Sequence, residues 1–133
     1  MKKKGELQDS HWEKLTPHHK TAYLNPDDYR NQIPPNASHQ ETEGFAVNYG
    51  RLASPLGKTM EDKATIAEHL FLEPQRMLKR SETDSVLAAK VAEIKRRFRE
   101  RSGGKMSEQY FADLANGSIA KDYWSSQNTT VAA

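Results

Sequence analysis

Residues 81–101 have the sequence SETDSVLAAKVAEIKRRFRER, and this stretch decides the fold class. Its larger apolar side chains recur at steps of four, three and four, which puts them in one line along a single face of a helix. They are Leu87, Val91, Ile94 and Phe98. The polar run before them is typical of a helix start, and Gly103-Gly104 ends the segment. The pattern predicts a long helix over about residues 82–101.

Four shorter helices are predicted around this segment from cap and breaker residues. They run from Thr59 to near Leu72, from Pro74 through Lys79, from Ser107 to Asn116-Gly117, and from Ser118 onward. With the long helix they predict a small helical domain over residues 59–133. Its expected core consists of Ile66, Leu70, Leu78, Leu87, Val91, Ile94, Phe98, Phe111, Leu114 and Trp124.

Residues 1–58 have a different pattern. They contain five of the six prolines and only scattered apolar side chains. Two short helices are predicted from caps, one at Thr16-Pro17 and one at Asn25-Pro26, where two aspartates follow; Pro34-Pro35 ends the second. Residues 44–49 are the one strand candidate, with no second strand to pair with. We expect an extended, loop-rich, proline-rich N-terminal arm with short helices, attached to the helical domain of a mainly α chain.

Composition limits the size of the core. Leu, Ile, Val and Phe account for 22 of the 133 residues, and the net charge is +2. Each such side chain contributes about 1.5–3 kcal/mol when fully buried. That supports a core for the helical domain and leaves little to fix residues 1–58. We therefore expect contacts with a neighbouring protein to order the arm.

Several functional classes are disfavoured by the composition. The chain has no cysteine, which excludes disulfides, thiolate metal sites and cysteine nucleophiles. It contains no apolar run of membrane-spanning length, and its basic first residues are not followed by a secretory signal. We expect no membrane partner, and a location in the cytoplasm or within a viral particle.

No motif predicts catalysis, a metal or a cofactor. The stretch at 50–59, GRLASPLGKT, resembles a phosphate-binding loop, but the glycine required five positions before Gly57 is Leu52. Pro55 also removes a backbone N–H from that loop. The five histidines lack the spacing of convergent zinc ligands. We expect no enzymatic activity, no metal site and no small-molecule cofactor.

The most specific chemical feature is a basic cluster. Residues 76–105 hold ten basic and four acidic side chains, and the cluster is densest at residues 95–101. Guanidinium groups bind phosphate and carboxylate strongly, although cations are also favoured at a helix C-terminus by its dipole. The candidate residues for binding a partner or nucleic acid are Lys95, Arg96, Arg97, Arg99, Arg101 and Lys105.

Near the C-terminus, Tyr123 and Trp124 are candidate anchors for a protein partner, with a place in the core as the alternative. Taken together, the sequence predicts a non-enzymatic structural or assembly subunit of a larger multi-protein particle, of virion type or similar. Its partners are expected to be other protein subunits. The alternative is a small nucleic-acid-binding regulatory protein that uses the basic helix at 95–101.

Overall fold

The computed structural model describes residues 9–17, 22–53 and 59–118, and these are mostly helical. The mainly α fold class is therefore confirmed. The helices are α1 (Ser10–Glu13), α2 (Pro26–Gln32), α3 (Met60–Leu72), α4 (Pro74–Ser81), α5 (Ser85–Arg101) and α6 (Glu108–Ala115). Two 3-10 helices, Pro35–Ala37 and Asn48–Arg51, complete the regular structure. The helices predicted from Thr16-Pro17 and from Ser118 fall mainly on residues outside the described part.

Helix α5 is the predicted long helix, and its N-cap residue is Asp84. The Asp84 side chain accepts a 2.9 Å hydrogen bond from the backbone N–H of Leu87, which satisfies one of the free donors of the first turn. Leu87, Val91 and Ile94 are buried, and Phe98 packs at the edge of the core. The predicted apolar seam is therefore the face that α5 turns inward.

The short helices differ from expectation at two side chains. Thr59 is the N-cap residue of α3, but its hydroxyl makes no capping hydrogen bond. In α4, Leu78 was expected in the core and is 54% exposed, whereas Met77 is buried. A helix of eight residues that packs on one side buries a narrow stripe, and Met77 occupies that stripe.

The described part of residues 1–58 is not an extended arm. Trp12 has no exposed surface and Ala46 almost none, and both belong to the same core as the C-terminal helices. The full core consists of Trp12, Ala46, Ile66, Leu70, Met77, Leu87, Val91, Ile94, Phe111 and Leu114. The prediction failed because it treated the apolar side chains of this segment as too scattered to bury, whereas Trp12, Leu24, Phe45 and Val47 are all buried and polar contacts add to them.

A buried polar cluster forms the centre of that attachment. Lys90 Nζ lies 2.8 Å from Asp62 Oδ2, and neither side chain is exposed. The same oxygen accepts hydrogen bonds from Trp12 Nε1–H, at 3.0 Å, and from the Tyr23 hydroxyl. Burial raises the pKa of Asp62 and lowers that of Lys90, while each charge favours the ionised form of the other. We refer to Trp12, Tyr23, Asp62 and Lys90 as the buried cluster.

The loop before Asn48 is held by side chains rather than by a strand partner. The Arg80 guanidinium donates hydrogen bonds to the carbonyl oxygens of Ala46 and Phe45, both at 2.8 Å, and of Thr42, at 3.0 Å. Lys90 Nζ also donates to the Gly44 carbonyl at 2.7 Å. The strand candidate at residues 44–49 does not form a strand: within the described ranges it makes only an isolated bridge between Phe45 and Thr42, and cations satisfy several of its carbonyl groups.

Candidate interaction groove

The predicted basic cluster divides between two faces of α5. Helical spacing places Lys95 and Arg99 on one side of the helix, and Arg97 and Arg101 on another. Lys95, Arg96 and Arg99 line one cavity beside α6. Arg97 instead lies next to the N-terminal segment and Trp12, with its guanidinium carbon 5.6 Å from the indole ring. The six predicted residues therefore do not form a single binding surface.

Arg97 is part of the attachment of α1. Its guanidinium nitrogens lie 2.6 and 3.1 Å from the two carboxylate oxygens of Asp9, a bidentate pair. Lys63 Nζ lies 2.9 Å from the same carboxylate. The Arg97 hydrogen bonds hold the pKa of Asp9 well below its usual range, and Lys63 adds to the shift. Arg97 thus has an intramolecular role.

Arg96 is also paired within the chain. Its guanidinium lies 2.7 and 2.9 Å from the oxygens of Glu93, and it contacts Glu100 as well. Hydrogen bonds from Arg96, supported by Arg97, lower the pKa of Glu93 to about 2. Arg96 therefore offers less of its charge to an external ligand than its sequence position suggests.

The four other predicted cations are unpaired in the described residues: Lys95, Arg99, Arg101 and Lys105 make no ion pair there. Arg99, Arg101 and Lys105 are exposed, and Lys95 is partly buried with its Nζ 5.6 Å from the Phe111 ring. The predicted anchors Tyr123 and Trp124 lie outside the described residues, so their role stays a prediction.

A groove runs over α5 between α4 and α6. It consists of three adjoining cavities of about 720, 230 and 220 Å³, all of which are lined in part by Lys95, Glu108 and Phe111. Leu78 of α4 forms one wall, and Ala112 and Ala115 of α6 help to form the other. Ala88, Val91 and Ala92 of α5 line the middle cavity. We call this feature the α4–α6 groove.

The α4–α6 groove is polarised along its length. Its apolar end is formed by Leu78, Ala112 and Ala115. Its basic end, next to the start of α6, is formed by Lys95, Arg96 and Arg99. Carboxylates also line the groove: Glu82 beside Lys79 at the apolar end, and Glu108 along the shared wall. The basic end nevertheless carries more positive than negative charge.

A second shallow hollow adjoins the end of α6. It has a volume of about 560 Å³ and is lined by Phe71, Leu72 and Leu114, together with Ala115. Leu72 is 72% exposed, so exposed leucines flank the α6 C-terminus on both sides. Large apolar side chains grouped around concave surface are typical of sites that bind another macromolecule.

The described residues offer little that resembles a metal or catalytic site. Within them, no group of three or more His, Asp or Glu side chains is placed to hold a metal ion. The strongly perturbed pKa values of Asp62, Lys90 and Tyr23 belong to the buried cluster, where Asp62 and Lys90 have no solvent access. Ranges 9–17, 22–53 and 59–118 also contain no helix with the length and apolarity needed to cross a membrane.

Sequence reasoning missed the apolar end of the groove because it placed Leu78 in the core. A usable signal was present: Met77 and Leu78 are adjacent, so they point in different directions on a helix, and a short helix buries one of them. Comparison with protein-family models found none that matches the chain, and comparisons with curated proteins and with solved structures gave no match either.

Proposed function

We propose that this protein is a non-enzymatic subunit of a larger multi-protein particle and that it binds a neighbouring protein through the α4–α6 groove. The observation that carries the proposal is Leu78, which is 54% exposed on the wall of a cavity of about 720 Å³. A helix of a partner that covers this leucine would remove apolar surface from water, which is the main favourable term in association.

The shape of the groove favours a helical occupant. Two of the α5 side chains in its lining, Ala88 and Ala92, are small, and Val91 between them is buried, so another helix can approach closely. Its walls come from two helices, an arrangement that suits an amphipathic helix laid in a groove. The wall formed by α6 is about 12 Å long at 1.5 Å per residue, which matches about two turns of a bound helix.

We propose no catalytic role because Asp62 and Lys90, whose pKa values are shifted by burial, have no exposed surface. An acid, base or nucleophile must reach its substrate. The carboxylate of Asp62 and the amine of Lys90 are sealed beneath Trp12 and Phe45. The buried cluster therefore supports a structural role, in which its hydrogen bonds set the position of the N-terminal segment.

The proposal is tested by the size of the chain in extracts of its native source. Leu78→Asp places a charge on the apolar end of the groove, and Asn31→Asp makes the same addition to charge on the exposed face of α2 as a matched control. We expect the wild type and Asn31→Asp to sediment with a larger particle and Leu78→Asp to sediment as the free chain. Identical sedimentation of all three would contradict the proposal.

A second candidate function is nucleic-acid binding, favoured by Arg99, Arg101 and Lys105, which are exposed and make no ion pair with another described residue. Contacts between such cations and phosphates release counterions, so each one changes the logarithmic salt dependence of affinity by about 0.9. This candidate predicts binding of duplex DNA or single-stranded RNA that weakens steeply with salt, and a smaller slope when these three residues become Gln. We rank it second because Arg96 and Arg97 are already paired with carboxylates of the chain itself.

A further inference from the structure

We infer that the occupant of the α4–α6 groove is an amphipathic helix of a protein partner whose acidic residues lie at one end of its apolar face, beside Lys95 and Arg99. This inference rests on the proposed function and adds the chemistry of the partner. It is drawn from the polarity of the groove along α5.

The basic end has charge that the described residues leave unmatched. Lys95 and Arg99 are four residues apart, so they lie one turn apart on the same face of α5. Neither makes an ion pair in the described ranges, whereas their neighbour Arg96 is paired with Glu93 and Glu100. The groove itself supplies one carboxylate here, Glu108, for two cations. A carboxylate on a partner helix would neutralise the remaining positive charge.

The environment of Lys95 favours a carboxylate at this position. Its Nζ lies 5.6 Å from the centre of the Phe111 ring, and its side chain is partly buried along the groove. An ion pair formed there is less screened by solvent than one on an open surface, so charge matching discriminates more strongly between partners.

The apolar end has the opposite character. Leu78, Ala112 and Ala115 present carbon atoms, and the nearby Lys79 and Glu82 are three residues apart with opposite charges. A partner needs leucine-like side chains here and gains nothing from a net charge. The predicted occupant therefore has apolar residues along one face and two or more Asp or Glu residues confined to one end.

Nucleic acid fits this groove less well than a helix does. Phosphates would use Lys95 and Arg99 but would leave the exposed Leu78 uncovered, and the aromatic ring in the groove lining, Phe111, is only 3% exposed and offers little face for base stacking. The observations therefore favour a protein helix, and nucleic acid becomes one of the outcomes of the test.

The test is a selection of peptides displayed as single helices, carried out on the full chain with the Leu78→Asp variant used to remove unrelated binders. We expect recovered helices to carry Asp or Glu at one end of the apolar face. Recovery of helices with no charge preference, or with Lys or Arg at that end, overturns the inference and leaves the proposed groove intact. Failure to recover any helix that distinguishes the wild type from Leu78→Asp contradicts both.

Affinities of one recovered helix then locate the contact. We expect Lys95→Glu with Arg99→Glu to weaken binding at least tenfold, and the milder Lys95→Gln with Arg99→Gln to do so about threefold or more. Replacing the acidic residues of the peptide by Lys should restore binding to the Glu double variant. Lys14→Glu with Arg101→Glu makes the same charge change at two exposed side chains outside the groove and is expected to change the affinity less than twofold. Equal effects of the two pairs of substitutions overturn the inference.

Other occupants give different results in the same measurements. A dimer of the chain that Leu78→Asp dissociates in sedimentation would assign the groove to a second copy. Competition by a short DNA duplex that depends on Lys95 and Arg99 would assign the basic end to nucleic acid. Either result overturns the partner helix.

Discussion

The indole N–H of Trp12 donates a 3.0 Å hydrogen bond to Asp62 across 50 positions of sequence, and both side chains are fully buried. Because Asp62 is also paired with Lys90, this bond joins the N-terminal segment to α3 and α5 at once. The segment is therefore held by a specific polar contact as well as by apolar burial.

Trp12→Ala is expected to destabilise the protein by about 3–5 kcal/mol, because it removes a large buried ring and leaves a cavity. The free energy of urea unfolding measures the loss. Leu15→Ala, at a partly buried side chain that packs against the same core, is the control and should cost less. A Trp12→Ala variant as stable as Leu15→Ala would contradict the core position of Trp12.

Removal of one charged partner of the buried cluster should lower the free energy of unfolding more than removal of both charges. Lys90→Met is expected to destabilise by about 3–5 kcal/mol, because it leaves the Asp62 carboxylate buried without a counter-charge. Adding Asp62→Asn should recover part of that loss, since the amide oxygen still accepts hydrogen bonds from Trp12 and Tyr23. Urea unfolding of the two single variants and the double variant completes the cycle. Additive losses would show that the pair is not coupled.

Stability is expected to fall in acid through the ion pairs beside α1. The Arg96 and Arg97 guanidinium groups lower the pKa of Glu93 from 4.5 to about 2, so this group stabilises the fold above about pH 4.5. That contribution is lost as the pH falls from there through about 2. Asp9, whose pKa is also lowered, likewise stabilises the fold when it is ionised, and this contribution is lost in acid. The raised pKa of Asp62 has the opposite sign, because protonation of that carboxyl favours the folded state.

Urea unfolding between pH 7 and pH 2 measures this dependence. Glu93→Gln should reduce the slope below pH 4.5 while leaving the Asp9 contribution in place. An unchanged slope in that variant would show that Glu93 is not held in its charged form by the two arginines.

Two glycines with positive φ allow a matched comparison of strain and crowding. Gly44 has φ +81°, and a Cβ there would lie 3.1 Å from Val86 Cγ1, whereas Gly103 has φ +66° and open space around it. Gly103→Ala should cost about 1–2 kcal/mol for the left-handed conformation alone. Gly44→Ala should cost more, because Val86 must also move and the bonds of Gly44 to Asp84 and Lys90 are disturbed. Equal losses in thermal or urea unfolding would exclude the Val86 contact.

Local patterns predicted most of the helices. The apolar spacing of α5, Pro74 after α3 and the Ser107 cap of α6 all act within a few residues, so they can be read from the sequence. Helix α1 was missed because its four residues are too few for a periodic pattern, and its position depends on Trp12.

Long-range pairing could not be predicted in the same way. The partners Asp62 and Lys90 are 28 positions apart, and Arg80 binds carbonyl groups more than 30 positions away. The basic run at residues 95–101 predicted a binding surface, but it could not show that Arg97 forms ion pairs with Asp9 and Glu93. In α4, the packing against α5 determines that Met77 is buried and Leu78 is exposed. Leu78 then forms part of the apolar end of the groove.

The most direct measurement of the proposed function is a photocross-link from the groove in the native source. A benzoylphenylalanine at position 78 should form an adduct with one partner protein, and the linked partner peptide should be an amphipathic helix. The same probe at position 31 on α2 should form no such adduct. An absence of adducts at position 78, or equal adducts at both positions, would contradict the proposal that the α4–α6 groove is where this subunit binds its neighbour.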